Sequence, residues 1–373
     1  MKVPPFKLDQ WLAAHEFATP PIRYNLASST GPSWTVAELM SLGGGSVAQL
    51  ADLSLSYAPP NGSKLLRERI AALHGADPEH VLVMTGASEA LMAFTCHFAD
   101  TGASLLIPKP VYPALPVMAR GWGLNVREYV MPAPGFEQTA ELVLEHVDAT
   151  TRAVFVNSPH NPTGSVMSAE AQRKLADTLA ARDIPLVVDE VYHPLYFGAT
   201  RSSASGLPNT IVLGDFAKAL SVPGLRIGWL IERDAERREA FLQMRSYFTI
   251  SSSPLTEAVG AHALAHSSAI IERLRNTALG NLELLTRFMH EHREFIDFVP
   301  PAGGTTCFPR LRDGKDARPL CEALARSGVL VAPGDCFDMP SHFRVGFGAM
   351  RSGYEEALSI FREVLMSSRS ATL

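Results

Sequence analysis

Ala153-Val154-Phe155-Val156 leads straight into Asn157-Ser158-Pro159-His160-Asn161-Pro162-Thr163-Gly164, and a helical pattern follows from about Ser168 to Ala181. An unbroken apolar run, then a turn, then a helix reads as a strand buried on both faces, the mark of a parallel sheet covered by helices. The same grammar recurs on either side. Val81-Leu82-Val83-Met84 precedes a helix through Ala90, Leu91 and Phe94. Pro185-Leu186-Val187-Val188, Thr210-Ile211-Val212-Leu213 and Ile227-Gly228-Trp229-Leu230 follow as further parallel-strand candidates. The pattern predicts an α/β fold, a three-layer sandwich around a mainly parallel central sheet. From Asp234 the chain turns helical for about 60 residues by periodicity. Strands are expected again around Thr305 to Leu311, Val329 to Val331 and Phe343 to Phe347, mixed with helices, as in a smaller α+β domain. The expected division is a large domain over 44–275 and a small one made of 1–43 and 276–373.

Composition narrows the function classes. The chain has 373 residues, 46% hydrophobic and 19% charged, so it is neither disordered nor fibrous. Lys+Arg is 33 against Asp+Glu 38, a formal charge of -5. No basic excess is available to neutralise a phosphate backbone, which argues against a nucleic-acid partner. No apolar run nears the roughly 20 residues of a membrane span. Met1-Lys2-Val3-Pro4-Pro5 lacks a signal-peptide stretch. Cys96, Cys307, Cys321 and Cys336 show no CxxC spacing, so neither a disulfide framework nor a zinc site is expected, and a cytoplasmic setting fits. Gly43-Gly44-Gly45 is not followed by Gly-Lys-Ser/Thr and is no P-loop. His262 and His266 lie a helical turn apart without the Glu of HExxH or a third ligand, so no metal is expected.

Five clusters carry the chemistry. They are Tyr57-Ala58-Pro59-Pro60-Asn61-Gly62; Thr85-Gly86-Ala87-Ser88-Glu89-Ala90; Asn157 to Gly164; Asp189-Glu190-Val191-Tyr192; and Gly214-Asp215-Phe216-Ala217-Lys218 with Gly224-Leu225-Arg226-Ile227-Gly228 just beyond. Ligands of a parallel sheet bind at the carboxyl ends of its strands, where the last four clusters are expected. A Gly-Ala-Ser turn opening a helix offers free N–H groups and the positive helix end to an anion. Arg226 can add a charge-assisted contact to the same phosphate. An acid (Asp189), an amine (Lys218), an amide (Asn161) and a phenol (Tyr192) then surround whatever the phosphate anchors. Pyridoxal 5'-phosphate needs that set. A lysine forms the Schiff base, and a carboxylate keeps the pyridine nitrogen protonated so that the ring accepts carbanion electrons.

Taken in order, these clusters resemble the class I/II aminotransferases, fold-type I pyridoxal-phosphate enzymes, from about Tyr24 to about Leu365. The resemblance implies Lys218 as the aldimine lysine and proton shuttle, Asp189 as partner of the pyridine nitrogen, and Asn161 and Tyr192 as ligands of the ring oxygen. It implies a phosphate cradle of Gly86, Ala87, Ser88 and Arg226, and a ring stacked on the cofactor from Tyr112 in Pro110-Val111-Tyr112-Pro113. Tyr57 matches the tyrosine that reaches the neighbouring subunit's phosphate, so a homodimer is expected. Arg344, in Phe343-Arg344-Val345-Gly346-Phe347, matches the arginine that grips the substrate α-carboxylate, with Asn161 and Ser29 as further substrate contacts. One departure stands out. The residue three before the lysine is often Ser or Thr, and here it is Asp215. A carboxylate repels phosphate, so Asp215 is expected to pair with Arg226 instead.

The expected reaction is transfer of an amino group between an amino acid and a 2-oxo acid. Ser28-Ser29-Thr30-Gly31, Tyr247 to Leu255 and Gly303 to Arg310 are also similar to the capreomycidine synthase sub-family. That makes elimination, replacement or cyclisation the alternative. Regulators that share this fold carry a helix-turn-helix ahead of it. The stretch before residue 44 shows no basic recognition helix, and a binding protein has no need of Lys218 with Asp189.

Overall fold

The computed structural model describes residues 3–370. Residues 1–2 and 371–373, inside the expected small-domain span, lie outside the described ones. The strands are β1 (Tyr24–Asn25), β2 (Val81–Met84), β3 (Ser104–Lys109), β4 (Asn125–Val130), β5 (Thr151–Asn157), β6 (Leu186–Asp189), β7 (Thr210–Asp215) and β8 (Gly228–Ile231), followed by β9 (Ile296–Asp297), β10 (Thr306–Cys307), β11 (Arg310–Leu311), β12 (Val329–Leu330), β13 (Ala332–Pro333) and β14 (Phe343–Gly346). The helices are α1 (Lys7–Glu16), α2 (Val36–Met40), α3 (Lys64–His74), α4 (Ala87–His97), α5 (Ala114–Gly121) and α6 (Ala140–Leu144), then α7 (Ala169–Ala180), α8 (Ala235–Phe248), α9 (Pro254–Ala265), α10 (Ser267–Glu291), α11 (Arg318–Arg326) and α12 (Tyr354–Ser370).

Seven strands form the central sheet in the order β2-β8-β7-β6-β5-β3-β4. Alternate residues of its strands feed two cores. Val81, Val83, Val154, Val156, Val188, Val212 and Trp229 face one layer, which includes Leu66 and Ile70 of α3 and Leu175 and Leu179 of α7. Leu82, Met84, Phe155, Val187, Ile211 and Leu230 face the other, with Phe94 of α4, Leu115 of α5 and Phe241 of α8. Both faces are covered, so the strands read as continuous apolar runs. Local signals set the helix ends. The Ser168 side chain accepts from Ala171 N at 3.0 Å and opens α7, close to where the sequence places it.

One strand departs from expectation. The run from Ile227 to Leu230 was expected to be parallel, but β8 is antiparallel to both neighbours, β2 and β7. Only the stretch 216–227 separates β7 from β8, and it contains a short 3-10 turn, Pro223–Leu225, in place of a crossover helix. A parallel return needs a crossover of a dozen or more residues, usually helical; without one the chain folds back beside the strand it left. Periodicity cannot report this, since any strand covered on both faces is apolar throughout. The structure also adds β3 and β4, at one edge of the sheet, which the sequence reading passed over.

The remaining strands are short. β10, β14 and β13 form an antiparallel sheet, β9 pairs with β11, and β1 pairs in parallel with β12. Around them Leu274, Leu285, Phe288, Leu324, Val345 and Phe361 build a separate core. The N-terminal segment joins this part, because Trp11 Nε1 donates to Val331 O at 2.9 Å. Among the described residues no helix is long and apolar enough to cross a membrane.

Candidate active site

The antiparallel course of β8 places its start at the same edge as the carboxyl ends of β5, β6 and β7. Asp215, the last residue of β7, is paired with Gly228, the first of β8. The turn after β2, the loop after β5, Asp189, Lys218 and Arg226 therefore meet along one edge. They line a cleft of about 280 Å³ together with Tyr112, Tyr192, Ser29 and Arg344.

Asp189 ends β6, and its Oδ1 accepts from Val191 N at 3.1 Å. Burial pushes its carboxyl up to about 7, with Asp215 and Glu190 adding to the rise and Val191 N–H and Lys218 opposing it. The adjacent Glu190 does not face the cleft. Its carboxylate accepts from Ser203 Oγ at 2.6 Å and Ala204 N at 2.7 Å and lies 3.3 Å from His74 Nδ1, which holds its pKa below the ordinary value. Of two consecutive acids, one is locked by Ser203, Ala204 and His74 and the other faces the cleft.

Lys218 Nζ donates to Ser29 Oγ at 2.9 Å. Burial lowers the pKa of the amine; Asp215 and Asp189 oppose the change, while Arg344 and Arg226 add to it. Such an amine is a better nucleophile at neutral pH than a solvated lysine. Ser29 ties three elements together, since its carbonyl also accepts from Tyr192 Oη at 3.1 Å and Thr305 Oγ1 at 2.9 Å.

The turn after β2 is built for an anion. Gly86 caps α4 with φ 78°, a left-handed value open to glycine, and offers no side chain to the first N–H groups of the helix. A Cβ on Gly86 would lie 2.6 Å from Arg226 Nη2, so the guanidinium stands against the turn itself. A Cβ on Gly228 would lie 2.5 Å from Ala87 N. Glu89 holds the turn from within: its Oε2 accepts from Thr85 N and its Oε1 from Thr249 Oγ1, both at 2.5 Å. Buried Arg245 stands 3.7 Å away and also donates to Ser252 Oγ and to Pro60 O.

Asp215 does not form the expected ion pair with Arg226. Its Oδ1 accepts from Ala217 N at 3.0 Å, and Arg226 Nη1 donates to Pro223 O at 3.2 Å. Arg226 acts on the Asp215 carboxyl only through space, lowering a pKa that burial raises. The strand-to-turn geometry after β7 leaves the Ala217 N–H in need of an acceptor, and the carboxylate is nearest.

The loop after β5 is organised by Asn157, the first residue of its cluster, to which the sequence reading gave no role. Its Oδ1 accepts from Asn161 N at 2.7 Å and its Nδ2 donates to Asp189 O at 3.0 Å. Its signal was an amide ending an apolar strand. His160 Nε2 donates to Pro110 O at 3.1 Å, and burial pulls the imidazole down to about 3, so it is neutral. Because a carbonyl can only accept, Nδ1 is left to accept from Thr163 Oγ1 at 2.8 Å. His160 thereby fastens this loop to the one that carries Tyr112.

Arg344 is 1% exposed. Its Nη1 donates to Asn161 Oδ1 at 3.0 Å and its Nη2 to Ala27 O at 2.8 Å, while buried Nε has no partner. Among the described residues no carboxylate pairs with it; Asp335 is taken by Arg318 at 2.8 Å. A buried guanidinium without an acid is strongly disfavoured unless a ligand supplies one.

Two predicted residues stand differently. Tyr112 is half-buried, its ring edge-on to Phe6 at 5.8 Å. Tyr57 lies outside the cleft and is 83% exposed. The sequence reading also missed Phe6, Leu8, Asp9 and Leu12, which close one side of the cleft. They sit on and just before α1, far in sequence from every motif.

The donor set fits pyridoxal 5'-phosphate. The glycine turn that Arg226 fills at its back suits the phosphate, Asp189 suits a protonated ring nitrogen, and Lys218 suits the carbonyl carbon. Among the described residues no group of His, Cys, Asp and Glu is placed to hold a metal ion.

Comparison with known proteins agrees with this reading. Residues 26–361 match the family aminotransferase class I and II. The chain is 30% identical over 370 residues to capreomycidine synthase of Streptomyces vinaceus, covering 97% of this chain and 94% of that one. It is 32% identical over 376 residues to valine–pyruvate aminotransferase of Mycobacterium tuberculosis, covering 95% of both. The crystal structure of the PLP-dependent cyclase OrfR superposes with a TM-score of 0.90 at 27% identity, covering 99% of this chain and 98% of that one.

Proposed function

The chain belongs to the aminotransferase class I and II family and is a fold-type I, pyridoxal-phosphate-dependent aminotransferase, and we propose how its residues divide the work. The carrying observation is the convergence of Lys218, Asp189, Asn161, Tyr192, Arg226 and Arg344 on one cleft. Gly86, Ala87, Ser88 and Arg226 hold the phosphate. Asp189 holds the ring nitrogen, Asn161 and Tyr192 the ring oxygen, and Tyr112 covers the ring. Bound there, pyridoxal 5'-phosphate supplies a carbonyl that condenses with amines and a ring that takes up the electrons left when an α-proton departs.

Lys218 is the attachment point, and its Nζ is the base that takes the proton from the substrate α-carbon. Its lowered pKa favours the free amine needed for that task. Ser29 Oγ holds Nζ in place. Arg344 grips the α-carboxylate through its unpartnered side and orients the α-C–H bond. The division into 44–275 and 1–43 with 276–373 belongs to this reading, as do a homodimer in which Tyr57 serves the partner's phosphate site and a cytoplasmic location. The exposed ring of Tyr57, which touches no part of the cleft in its own chain, supports the dimer.

A second reading, elimination or replacement ending in ring closure, rests on the likeness to capreomycidine synthase and to the cyclase OrfR. One experiment separates the two. The purified protein, loaded with pyridoxal 5'-phosphate, is given a panel of amino acids with a 2-oxo acid acceptor. Matched formation of a new 2-oxo acid and a new amino acid supports transamination. Products formed without consumption of the acceptor support the second reading.

A further inference from the structure

We propose that His74 is a positioning residue: with Trp229, Ser203 and Glu190 it forms a polar strut beneath the cleft that sets the span between the phosphate turn and Asp189. The inference deepens the functional reading above and rests on it. The cofactor carries its phosphate and its nitrogen on one rigid ring, so the two ends bind together only where their separation matches the ring.

The strut crosses the face of the sheet that α3 covers. Trp229 stands opposite Gly214 in the β7–β8 ladder. A Cβ on Gly214 would lie 2.3 Å from Trp229 Cε2, so the indole crosses β7 where that strand has no side chain. Its Nε1 donates to His74 Nε2 at 3.1 Å. An indole N–H can only donate, so Nε2 accepts and the imidazole proton sits on Nδ1. Nδ1 stands 2.9 Å from Ser203 Oγ and 3.3 Å from Glu190 Oε2. Ser203 Oγ donates onward to Glu190 Oε2 at 2.6 Å. Every donor points the same way, from β8 to the carboxylate just past β6.

Both ends of the strut adjoin residues proposed for the cofactor. Trp229 follows Gly228, which packs against Ala87 N in the phosphate turn. Glu190 follows Asp189 at the point where the β6–β7 ladder ends. That ladder spaces the strands, and the strut holds the first residue beyond it. Trp229, His74 and Glu190 are buried, and among the described residues no lysine or arginine pairs with Glu190. A lost donor therefore leaves a buried carboxylate short of partners, and the turn carrying Asp189 shifts to find another.

The test titrates the cofactor-free protein by calorimetry with pyridoxamine 5'-phosphate, pyridoxamine and inorganic phosphate, the last by competition. None of the three bonds covalently to a lysine. The proteins are wild type, His74→Phe, which removes both ring contacts of the strut, and Trp229→Phe, which removes its first donor and keeps a ring over Gly214. Both variants are expected to bind pyridoxamine 5'-phosphate about ten-fold more weakly, with pyridoxamine and phosphate each held within about two-fold, because each of these meets one end alone. Unchanged affinity for pyridoxamine 5'-phosphate, or a parallel loss for all three ligands, overturns the proposal. Should His74→Phe fail to fold in a urea melt, Trp229→Phe decides between the same outcomes. A wild type that binds pyridoxamine 5'-phosphate no more tightly than phosphate removes the functional reading itself, and the strut with it.

Discussion

Arg344 and Asn161 are joined by a 3.0 Å hydrogen bond, Nη1 to Oδ1, across 183 residues of chain. It links strand β14 to the loop after β5, and so the residue proposed to grip the α-carboxylate to one proposed to hold the cofactor ring. Arg344 is also held by Ala27 O, and the Asn161 backbone by Asn157 Oδ1.

Arg344→Lys keeps the charge but loses the fork that serves Asn161, Ala27 and a ligand together. Amino-acid affinity is expected to fall by about 1–3 kcal/mol, while cofactor affinity stays within a factor of a few. Titration of the cofactor absorbance with substrate, beside a cofactor-loading assay, reads both. Loss of the cofactor would show Arg344 to be structural.

Gly86→Ala attacks the phosphate turn. The new methyl group meets Arg226 Nη2 and sits at φ 78°, ψ 165°, a region essentially confined to glycine, at a cost of about 1–3 kcal/mol. Cofactor affinity is expected to drop by about ten-fold or more, alongside a fall in the urea midpoint that reflects the strain. Fluorescence titration with pyridoxal 5'-phosphate measures the first. Unaltered affinity would place the phosphate elsewhere.

Asp189 gives a pH signature in the cofactor-free protein. Its folded pKa, about 7, is above its ordinary value, so its contribution to stability is full below the ordinary carboxylate range and is lost as pH rises through about 7. Asp189→Asn carries no charge to bury. The urea midpoint of wild type is therefore expected to fall relative to that of Asp189→Asn between pH 5 and pH 8. A constant difference would mean that the carboxyl titrates normally. With cofactor bound, the same variant is expected to lose roughly a hundred-fold or more in turnover, since the electron sink weakens.

Arg245 sits at the junction of the phosphate turn, the Tyr57 loop and the α8–α9 connection. Arg245→Met leaves Glu89 buried without its cation and is expected to cost about 3–5 kcal/mol in a urea melt. Arg245→Met combined with Glu89→Gln is expected to recover part of that loss. Two additive losses would show that the pair is not coupled.

The sequence by itself determined four strands of the central sheet and brought most of the residues proposed for the cofactor to their ends. Strands β2, β5, β6 and β7 are buried on both faces, so each is written as a plain apolar run. Each residue proposed for the cofactor there closes its strand or follows it within a few residues, which made Asn161, Asp189, Tyr192 and Lys218 legible. Local chemistry sufficed there because chain direction alone carries a residue from a strand end to the edge of the sheet. What remained was decided by tertiary structure. The antiparallel course of β8, which brings Arg226 beside Gly86, depends on a return without a crossover helix, and burial alone cannot signal direction. Asp215 binds Ala217 N instead of Arg226 because the turn geometry leaves that N–H open. Asn157 and the wall built by Phe6, Leu8, Asp9 and Leu12 gain their meaning from partners hundreds of residues away or across a loop. Such contacts leave no periodicity in the chain, because they arise only when separately folded parts close on one another.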